Sequence, residues 1–443
     1  MAGKSSKSQK ATASLYPLLA VNFVGTLSLG IILPFLIYLV TDFGGNSLVY
    51  GILGATYSAF QLIGAPLLGK WSDLYGRRKI LLLSQIGTLV SWLIFLLALF
   101  LPVITLTEVN SRLFGNFSLS LPLIILFFAR VVDGLTGGNV SVANAYLADI
   151  TKEANRSANF GKMAISSNLG YIIGPAMAGL LGATVLGEKL PVLAALLVSV
   201  IATLIIIYML PESIAQSMER DPEKLNVRKI LGPDQKECFQ IECKDKISLR
   251  DVLKMKRVVF LLLIYFFVFL GFNFFYVAFP VHAIQTLHWN MALTGLFFSF
   301  MGAVIILVQG PLLGFLTKKW RDQVLICTGS FILALSFLFY NSTESWLMYA
   351  GALLLALGNG LMWPSLLSLI SKSILDRFQG TIQGYAGSLG SAASIIGLLT
   401  GGLLYTLMGA GIFVLSALVI FVIFLLSFLL FKDQNLLVQE KTV

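Results

Sequence analysis

Arg130 and Asp133 stand three residues apart in "LIILFFARVVDGLTGGNV", a stretch otherwise dominated by apolar side chains and glycine. On a helix that spacing puts both on one face. Either charge alone in a hydrocarbon setting costs several kcal/mol or is neutralised. Together they form a proton-coupling pair: burial favours the neutral carboxyl, the guanidinium favours the carboxylate, and a movement or an arriving ligand tips the competition. The alternative for the same two residues is a structural ion pair that makes both tolerable. No other member of the 31 basic and 21 acidic residues falls deep inside an apolar block. No nucleotide-binding G-x4-G-K-[ST] loop and no catalytic or metal-ligand constellation accompanies the pair. An enzyme, an ATP-driven machine, a cofactor and a metal centre are therefore not expected. Cys238 and Cys243 lie in a polar loop and Cys327 in an apolar block, which gives no disulfide framework.

The elements that must position this pair are membrane helices. The 443 residues are 57% hydrophobic and 12% charged, about half the charge of a soluble domain. The apolar residues come in twelve blocks of roughly 20, the length of a bilayer-crossing helix. The expected spans are 15–41, 46–69, 79–102, 121–148, 162–186, 190–210, 258–282, 290–316, 323–340, 346–371, 380–407 and 410–431. The predicted fold is all-α, with two pseudo-symmetric six-helix bundles. Its expected divisions are tails at 1–14 and 432–443, bundles at 15–210 and 258–431, and a polar linker at 211–257. Of the 31 Lys and Arg, 28 fall in the tails, the linker and alternate loops on one side. Basic loops mark the cytoplasmic side, so both termini are expected there, in a plasma or inner membrane. No basic stripe suggests nucleic acid; the expected partners are the bilayer, a small-molecule substrate and protons, with the chain acting as a monomer.

The halves read as repeats. "YIIGPAMAGLL" ending at Leu181 and "SIIGLLTGGLL" ending at Leu404 align at an offset of 223 residues, which also matches Gly137 with Gly360 and Gly161 with Gly384. Repeated bundles imply a cavity between them near the midplane, opened to each side in turn. At that offset Arg130 and Asp133 meet Leu353 and Ala356, so the charge chemistry belongs to the first half alone.

Around the second loop the sequence reads "GKWSDLYGRRKIL". Gly69 permits close helix approach, Asp73 suits a neighbouring helix N-terminus, Gly76 permits a turn, and Arg77, Arg78 and Lys79 suit anionic headgroups. This stretch resembles the signature loop of the major facilitator superfamily. "RVVDG" is similar to its fourth-span motif, and "GYIIGPAMAGLLG" to the fifth-span motif of its proton-coupled antiporters. The run "RVVDGLTGGNVSVANAYLADIT" with "LPES" resembles the tetracycline-resistance-like branch of drug:proton antiporters. The resemblance implies a cytoplasmic gate in which Arg77 meets Asp149 and Asp73 meets the start of span eleven. Gly170, Gly174 and Ala178 recur by fours close to one face, small residues that allow close packing on a helix of the other half, with ordinary tight packing as the alternative; the resemblance implies an antiporter-type hinge at Gly170, Gly174, Pro175 and Gly179. Three positions depart from the branch. Leu74 replaces a basic residue, Ala178 replaces a glycine, and Gly25 stands where an acid is frequent. The second half keeps Gly314 but carries Lys318 where the first has Asp73.

Candidate cavity residues are the amides and aromatics within spans: Asn22, Gln61, Asn139, Asn168, Asn273, Phe274, Phe275, Tyr276, Gln309, Asn359, Trp363 and Gln383. The mixture suits an uncharged or amphipathic organic compound. The expected function is proton-coupled export of such compounds. A facilitator or proton symporter for a nutrient and a transport-dead sensor are the alternatives.

Overall fold

A computed structural model describes residues 15–137, 139–151, 156–213, 254–373 and 379–432. In the first half lie α1 (Leu15–Asp42), α2 (Ser47–Tyr75), α3 (Arg77–Ala98), α4 (Leu121–Thr136), α5 (Asn139–Ile150), α6 (Arg156–Gly182) and α7 (Lys189–Met209). In the second lie α8 (Lys256–Gln285), α9 (Met291–Leu307), α10 (Leu313–Leu316), α11 (Asp322–Phe339), α12 (Ser345–Lys372), α13 (Gln379–Met408), α14 (Gly411–Ser427) and α15 (Leu429–Lys432). Among the described residues ten helical stretches are long and apolar enough to cross a membrane. The pair α4–α5 and helix α6 complete twelve passes in two bundles of six.

Three features depart from the expected spans. The fourth pass is two helices, because α4 ends at Thr136 and α5 begins at Asn139. Gly137 caps the break, and carbonyls freed there find donors: Ser84 Oγ donates to Thr136 O, and Gln61 Nε2 to Gly137 O at 3.0 Å. The eighth pass contains a π-helical turn, Val308–Leu312, around Pro311, which has no amide proton to offer. The loop before α4 is a β-hairpin, β1 (Thr105–Ser111) paired antiparallel with β2 (Gly115–Ser120). Its strands, "TLTEVNS" and "GNFSLS", largely alternate polar with apolar, the two-residue period of a strand. Gly115 closes the turn at φ +72°, a conformation that favours glycine. The hairpin is tied to the α1–α2 turn by Ser118 N–H to Gly44 O (2.8 Å) and Ser120 Oγ to Phe43 O (2.8 Å). This end of the molecule is the hairpin end; the opposite one, with Arg77, Arg78 and Lys79, is the basic end.

At the hairpin end the two bundles lock together. Helix α2 packs on α13, and α6 on α9. These contacts are images of each other: spans two and five of one bundle meet spans eleven and eight of the other. The approach depends on glycine. A Cβ on Gly295 would lie 2.5 Å from Gly179 Cα, and one on Gly402 2.5 Å from Ser47 O. Polar contacts reinforce it: Ser47 Oγ to Thr406 Oγ1 at 2.7 Å, and Tyr38 Oη to Thr294 Oγ1 at 2.8 Å and to Trp289 O at 3.1 Å. Toward the basic end, Gly69, Gly310, Gly314 and Gly387 have nothing within 4 Å of a built Cβ. The bundles touch at the hairpin end and leave open space at these four glycines.

The second bundle is centred on an aromatic core. Phe279 stacks on Phe297 with centroids 4.1 Å apart, and Phe275 contacts Phe337, Tyr340 and Phe413. Phe274 and Phe275 are buried. The expectation that Phe275 lines a cavity is corrected: aromatic packing within one bundle uses it as core.

Candidate functional site

Helix α4 is clamped between α2 and α3. The backbone of Leu135 presses on Gly64, and Gly134 lies against Tyr57 O. Ser91 Oγ donates to Ala129 O at 2.9 Å, and Thr136 fills the space beside Gly87. Small and hydroxyl side chains at these points let the helices approach closely, which fixes the face of α4 that carries the charges.

On that face Arg130 Nη1 lies 3.4 Å from Asp133 Oδ2, with side chains only 6% and 8% exposed. Thr88 Oγ1 of α3 donates to Asp133 Oδ1 at 3.2 Å. The Arg130 guanidinium carbon sits 4.5 Å from the centroid of the Tyr57 ring, a cation–π contact from α2. Gln61, one turn beyond Tyr57, donates to Tyr57 Oη and to Gly137 O, both at 3.0 Å. A small cavity joins Asp133 and Thr88 to Gly25 and Ser28 of α1, with Tyr57, Trp92 and Gly137 completing its wall. It has room for about one water molecule. Gly25, the position where the branch often carries an acid, thus opens onto the cavity that Asp133 faces. The arrangement can hold a carboxyl in either charge state: a cation, a hydroxyl donor and a small polar space surround it. Sequence reading missed Tyr57, Thr88 and Ser28. Tyr57 had a signal, being four residues from Gln61 on one helix face.

At the basic end Arg77 Nε meets Asp149 Oδ2 at 2.9 Å, and Arg77 Nη1 donates to Ser72 Oγ at 2.7 Å. Ser213 Oγ also donates to Asp149, at 3.1 Å. Arg78 is not free for headgroups. Its Nε donates to Ile206 O at 3.1 Å and its Nη2 to Ile207 O, at the carbonyl-rich end of α7. Glu212, which the sequence reading left unassigned, accepts the Arg78 N–H at 3.1 Å and lies against Gly76, whose φ is +104°. Lys79 alone of the three is exposed. Arg77 and Asp149 belong to the same bundle, so their bond by itself does not tie the halves together. Gly69 has open space beside it rather than a neighbouring helix.

The fifth-span motif divides. Gly170 and Gly174 face Thr26, Leu27 and Gly30 of α1 in their own bundle; Gly179 and the Pro175 carbonyl face the other bundle, at Gly295. The expectation that the stripe faces the other half is corrected for Gly170 and Gly174: Gly179 is five residues beyond Gly174, which turns it roughly 140° around the helix onto another face. Helix α6 runs unbroken through Pro175.

The remaining candidates scatter. Asn22 is buried and donates to Met163 O, Ser166 Oγ and Ser167 Oγ (3.1, 3.4 and 2.7 Å), joining α1 to α6. Asn273 donates to Phe269 O (2.7 Å) and Ser394 Oγ (3.2 Å) inside the second bundle. Asn168 is exposed; Asn359 and Gln309 are half-buried, Gln309 within the π turn. Trp363 packs with Tyr265 and Phe269 at 5.0 and 5.1 Å. The side chains of Asp73, Asn139 and Gln383, and Cys238 and Cys243, lie outside the described residues.

The Major Facilitator Superfamily model matches residues 18–398 and 261–441. The chain belongs to the Major Facilitator Superfamily. As a member it is a membrane transporter, and its superfamily handles small molecules and protons. Tetracycline resistance protein, class C, of Escherichia coli is 28% identical over 392 residues, covering 88% of each chain. Major facilitator superfamily domain-containing protein 10 of Mus musculus is 26% identical, over 87% of this chain and 78% of the relative. Among solved structures, the human organic anion transporter MFSD10 superposes with a TM-score of 0.63 at 21% identity, covering 93% of this chain and 98% of that one. A D-xylose–proton symporter gives 0.67 at 16% identity, over 91% and 97%. These superpositions establish the shared transporter fold.

Proposed function

We propose that this protein is a proton-coupled antiporter that exports small amphipathic organic compounds from the cytoplasm by alternating access. The observation that carries the reading is the buried Arg130–Asp133 pair, set beside a cavity that reaches α1. Asp133 takes and releases the proton; Arg130 tunes its charge state; Thr88 orients one carboxylate oxygen. Because α1 also makes the cross-bundle contact through Tyr38, a change of charge at Asp133 sits one helix away from the interface that must move. The basic end faces the cytoplasm by the placement of Lys and Arg, and the hairpin end faces outward. The outer contacts and the open space beside the inner glycines support reading this arrangement as the state open toward the cytoplasm. The named tetracycline-resistance relatives support the export direction and the drug-like substrate class.

The test is transport in proteoliposomes across a panel of amphipathic compounds, with and without an imposed pH gradient. Gradient-driven exchange is expected in the unmodified protein and lost in Asp133→Asn. Undiminished gradient-driven flux in that variant refutes the assignment of Asp133; uptake in the direction of proton flow refutes antiport.

A further inference from the structure

Many buried hydroxyls on the helices of this protein turn back onto their own backbone. Thr26 Oγ1 donates to Asn22 O at 2.9 Å, Ser330 Oγ to Ile326 O at 2.7 Å, Ser365 Oγ to Leu361 O at 2.8 Å and Ser416 Oγ to Ile412 O at 3.1 Å. Ser28 of α1 does not. It is 2% exposed, and its Oγ has no hydrogen-bond partner among the described residues. A buried hydroxyl left unpaired is costly, because it has given up its bonds to water without replacing them. Ser28 borders the small cavity that Asp133 and Thr88 share. A hydroxyl that leaves its own helix unbonded and lines a polar cavity is placed to bind what enters it.

Counting donors and acceptors at Asp133 shows what that ligand is. Ionised, the carboxylate accepts from Arg130 Nη1 at 3.4 Å and from Thr88 Oγ1 at 3.2 Å. Protonated, it gains an O–H that needs an acceptor, and a guanidinium only donates. A water molecule both donates and accepts, as does a serine hydroxyl. The cavity has room for about one water. A buried water takes about three polar partners; the Asp133 carboxyl and the Thr88 and Ser28 hydroxyls on the cavity wall supply them. A metal cation is disfavoured there, because the Arg130 charge already lies beside the same carboxylate. Among the described residues Arg130 is the charged group that faces Asp133. Helix α2 adds the phenol of Tyr57 and, beyond it, that of Tyr50, while α1 and α3 add only hydroxyls.

We propose that Ser28 is a positioning residue that holds one water against Asp133, and that this water links helix α1 to the charge state of the pair. With Asp133 ionised, the water donates to the carboxylate and accepts from the Ser28 hydroxyl. With Asp133 protonated, the carboxyl O–H donates to the water, and the water donates to Ser28 Oγ. No covalent bond changes within the bridge; its hydrogen bonds reverse direction. Helix α1 carries the reversal onward. Gly30, just beyond Ser28, presses on α6: a Cβ there would lie 2.9 Å from Gly170 O and 3.3 Å from Pro175 Cδ. Farther along α1, Tyr38 bonds the second bundle through Thr294. The inference rests on the proton-coupled reading above.

The experiment is infrared difference spectroscopy, acidic against alkaline pH, on the full chain in liposomes, in ordinary water and in heavy-oxygen water. A band that shifts with heavy oxygen belongs to water; one that also vanishes in Asp133→Asn belongs to water bonded to that carboxyl. Such a band is expected in the parent, lost in Ser28→Ala and kept in Ser28→Thr, which restores the hydroxyl. Gly25→Ala adds a methyl group to the cavity wall without touching Ser28 and is expected to lose the band too. In the same liposomes the ratio of gradient-driven to passive exchange is expected to fall at least fivefold in Ser28→Ala and Gly25→Ala and to stay within about twofold of the parent in Ser28→Thr. If Ser28 only fills space, Ser28→Ala keeps both the band and the ratio, which refutes the proposal. A parent with no such band also refutes it, and gradient-driven flux that is lost in Asp133→Asn then leaves antiport standing. A band that depends on Ser28 in a protein with no gradient-driven flux refutes antiport and leaves the water site standing.

Discussion

Replacing Asp133 by Asn removes one charge and almost no volume. The Thr88 hydroxyl keeps an acceptor at 3.2 Å, and the Tyr57 ring keeps its contact with Arg130. What is lost is the counter-charge of a guanidinium that is 5% exposed. Breaking one side of a buried pair costs about 3–5 kcal/mol. The Arg130–Asp133 distance of 3.4 Å is longer than the roughly 2.8 Å of a strong charged hydrogen bond, which puts the expected loss at the low end, about 3 kcal/mol. Arg130→Met together with Asp133→Leu removes both charges and is expected to fall within about 1 kcal/mol of the parent or above it. Unfolding in mild detergent, followed by tryptophan fluorescence, reads the stabilities; proteoliposomes read the flux. The double variant should be stable and uncoupled. If it loses as much stability as Asp133→Asn, an unpaired buried charge is not the cause and the reasoning fails.

Other perturbations follow from the same geometry. Glu188, outside the spans at the hairpin end, is pushed up from 4.5 to about 8 by burial and by a hydrogen-bonded neighbour, Asp42. Its folded form therefore holds a proton that the unfolded chain has lost, so stability falls as pH rises from about 4.5 to about 8 and levels off above; melting curves of Glu188→Gln should lack that slope. Gly295→Val places a side chain against Gly179 Cα and should wedge the hairpin end apart, read as increased thiol labelling of cysteines introduced at that interface. Glu212→Ala removes the acceptor of the Arg78 N–H at the start of α3 and should cost about 1 kcal/mol of stability without abolishing flux. Gln61→Leu deprives Gly137 O and Tyr57 Oη of their donor; it should lower gradient-driven flux more than passive exchange, measured with and without the pH gradient.

The twelve passes are legible in the sequence because hydrocarbon length and loop charge are one-dimensional signals. So is the singular placement of Arg130 and Asp133, since any charge inside an apolar block stands out. Which face of a helix looks where is harder to read. In water the polar face of a helix announces itself, but here lipid, core and partner bundle are all apolar. Gly170 and Gly174 thus read as facing the other half when they face α1. The break after Thr136 hides in a run whose glycines suit a continuous tight-packed helix equally well. Tyr57 and Thr88 look like ordinary residues of their spans until α4 is packed between α2 and α3. Glu212 sits in a sequence that reads as the start of a linker, and its role depends on the α3 terminus being folded beside it.

The break in the fourth pass makes it an articulated rod. Its upper section is bolted to α2 and α3 through Gly64, Gly87, Ser84 and Ser91 and carries Arg130 and Asp133. Its lower section carries Asp149 in its last turn. A continuous helix would transmit a tilt at Asp149 as leverage on Asp133; a jointed one pivots at Gly137 and leaves the upper section still. Force from the basic end then reaches the charge pair sideways, through α2 and α3, whose Tyr57 and Thr88 touch it. The stiffness of those two helices, more than that of the fourth, sets how firmly the two ends of the transporter are geared together.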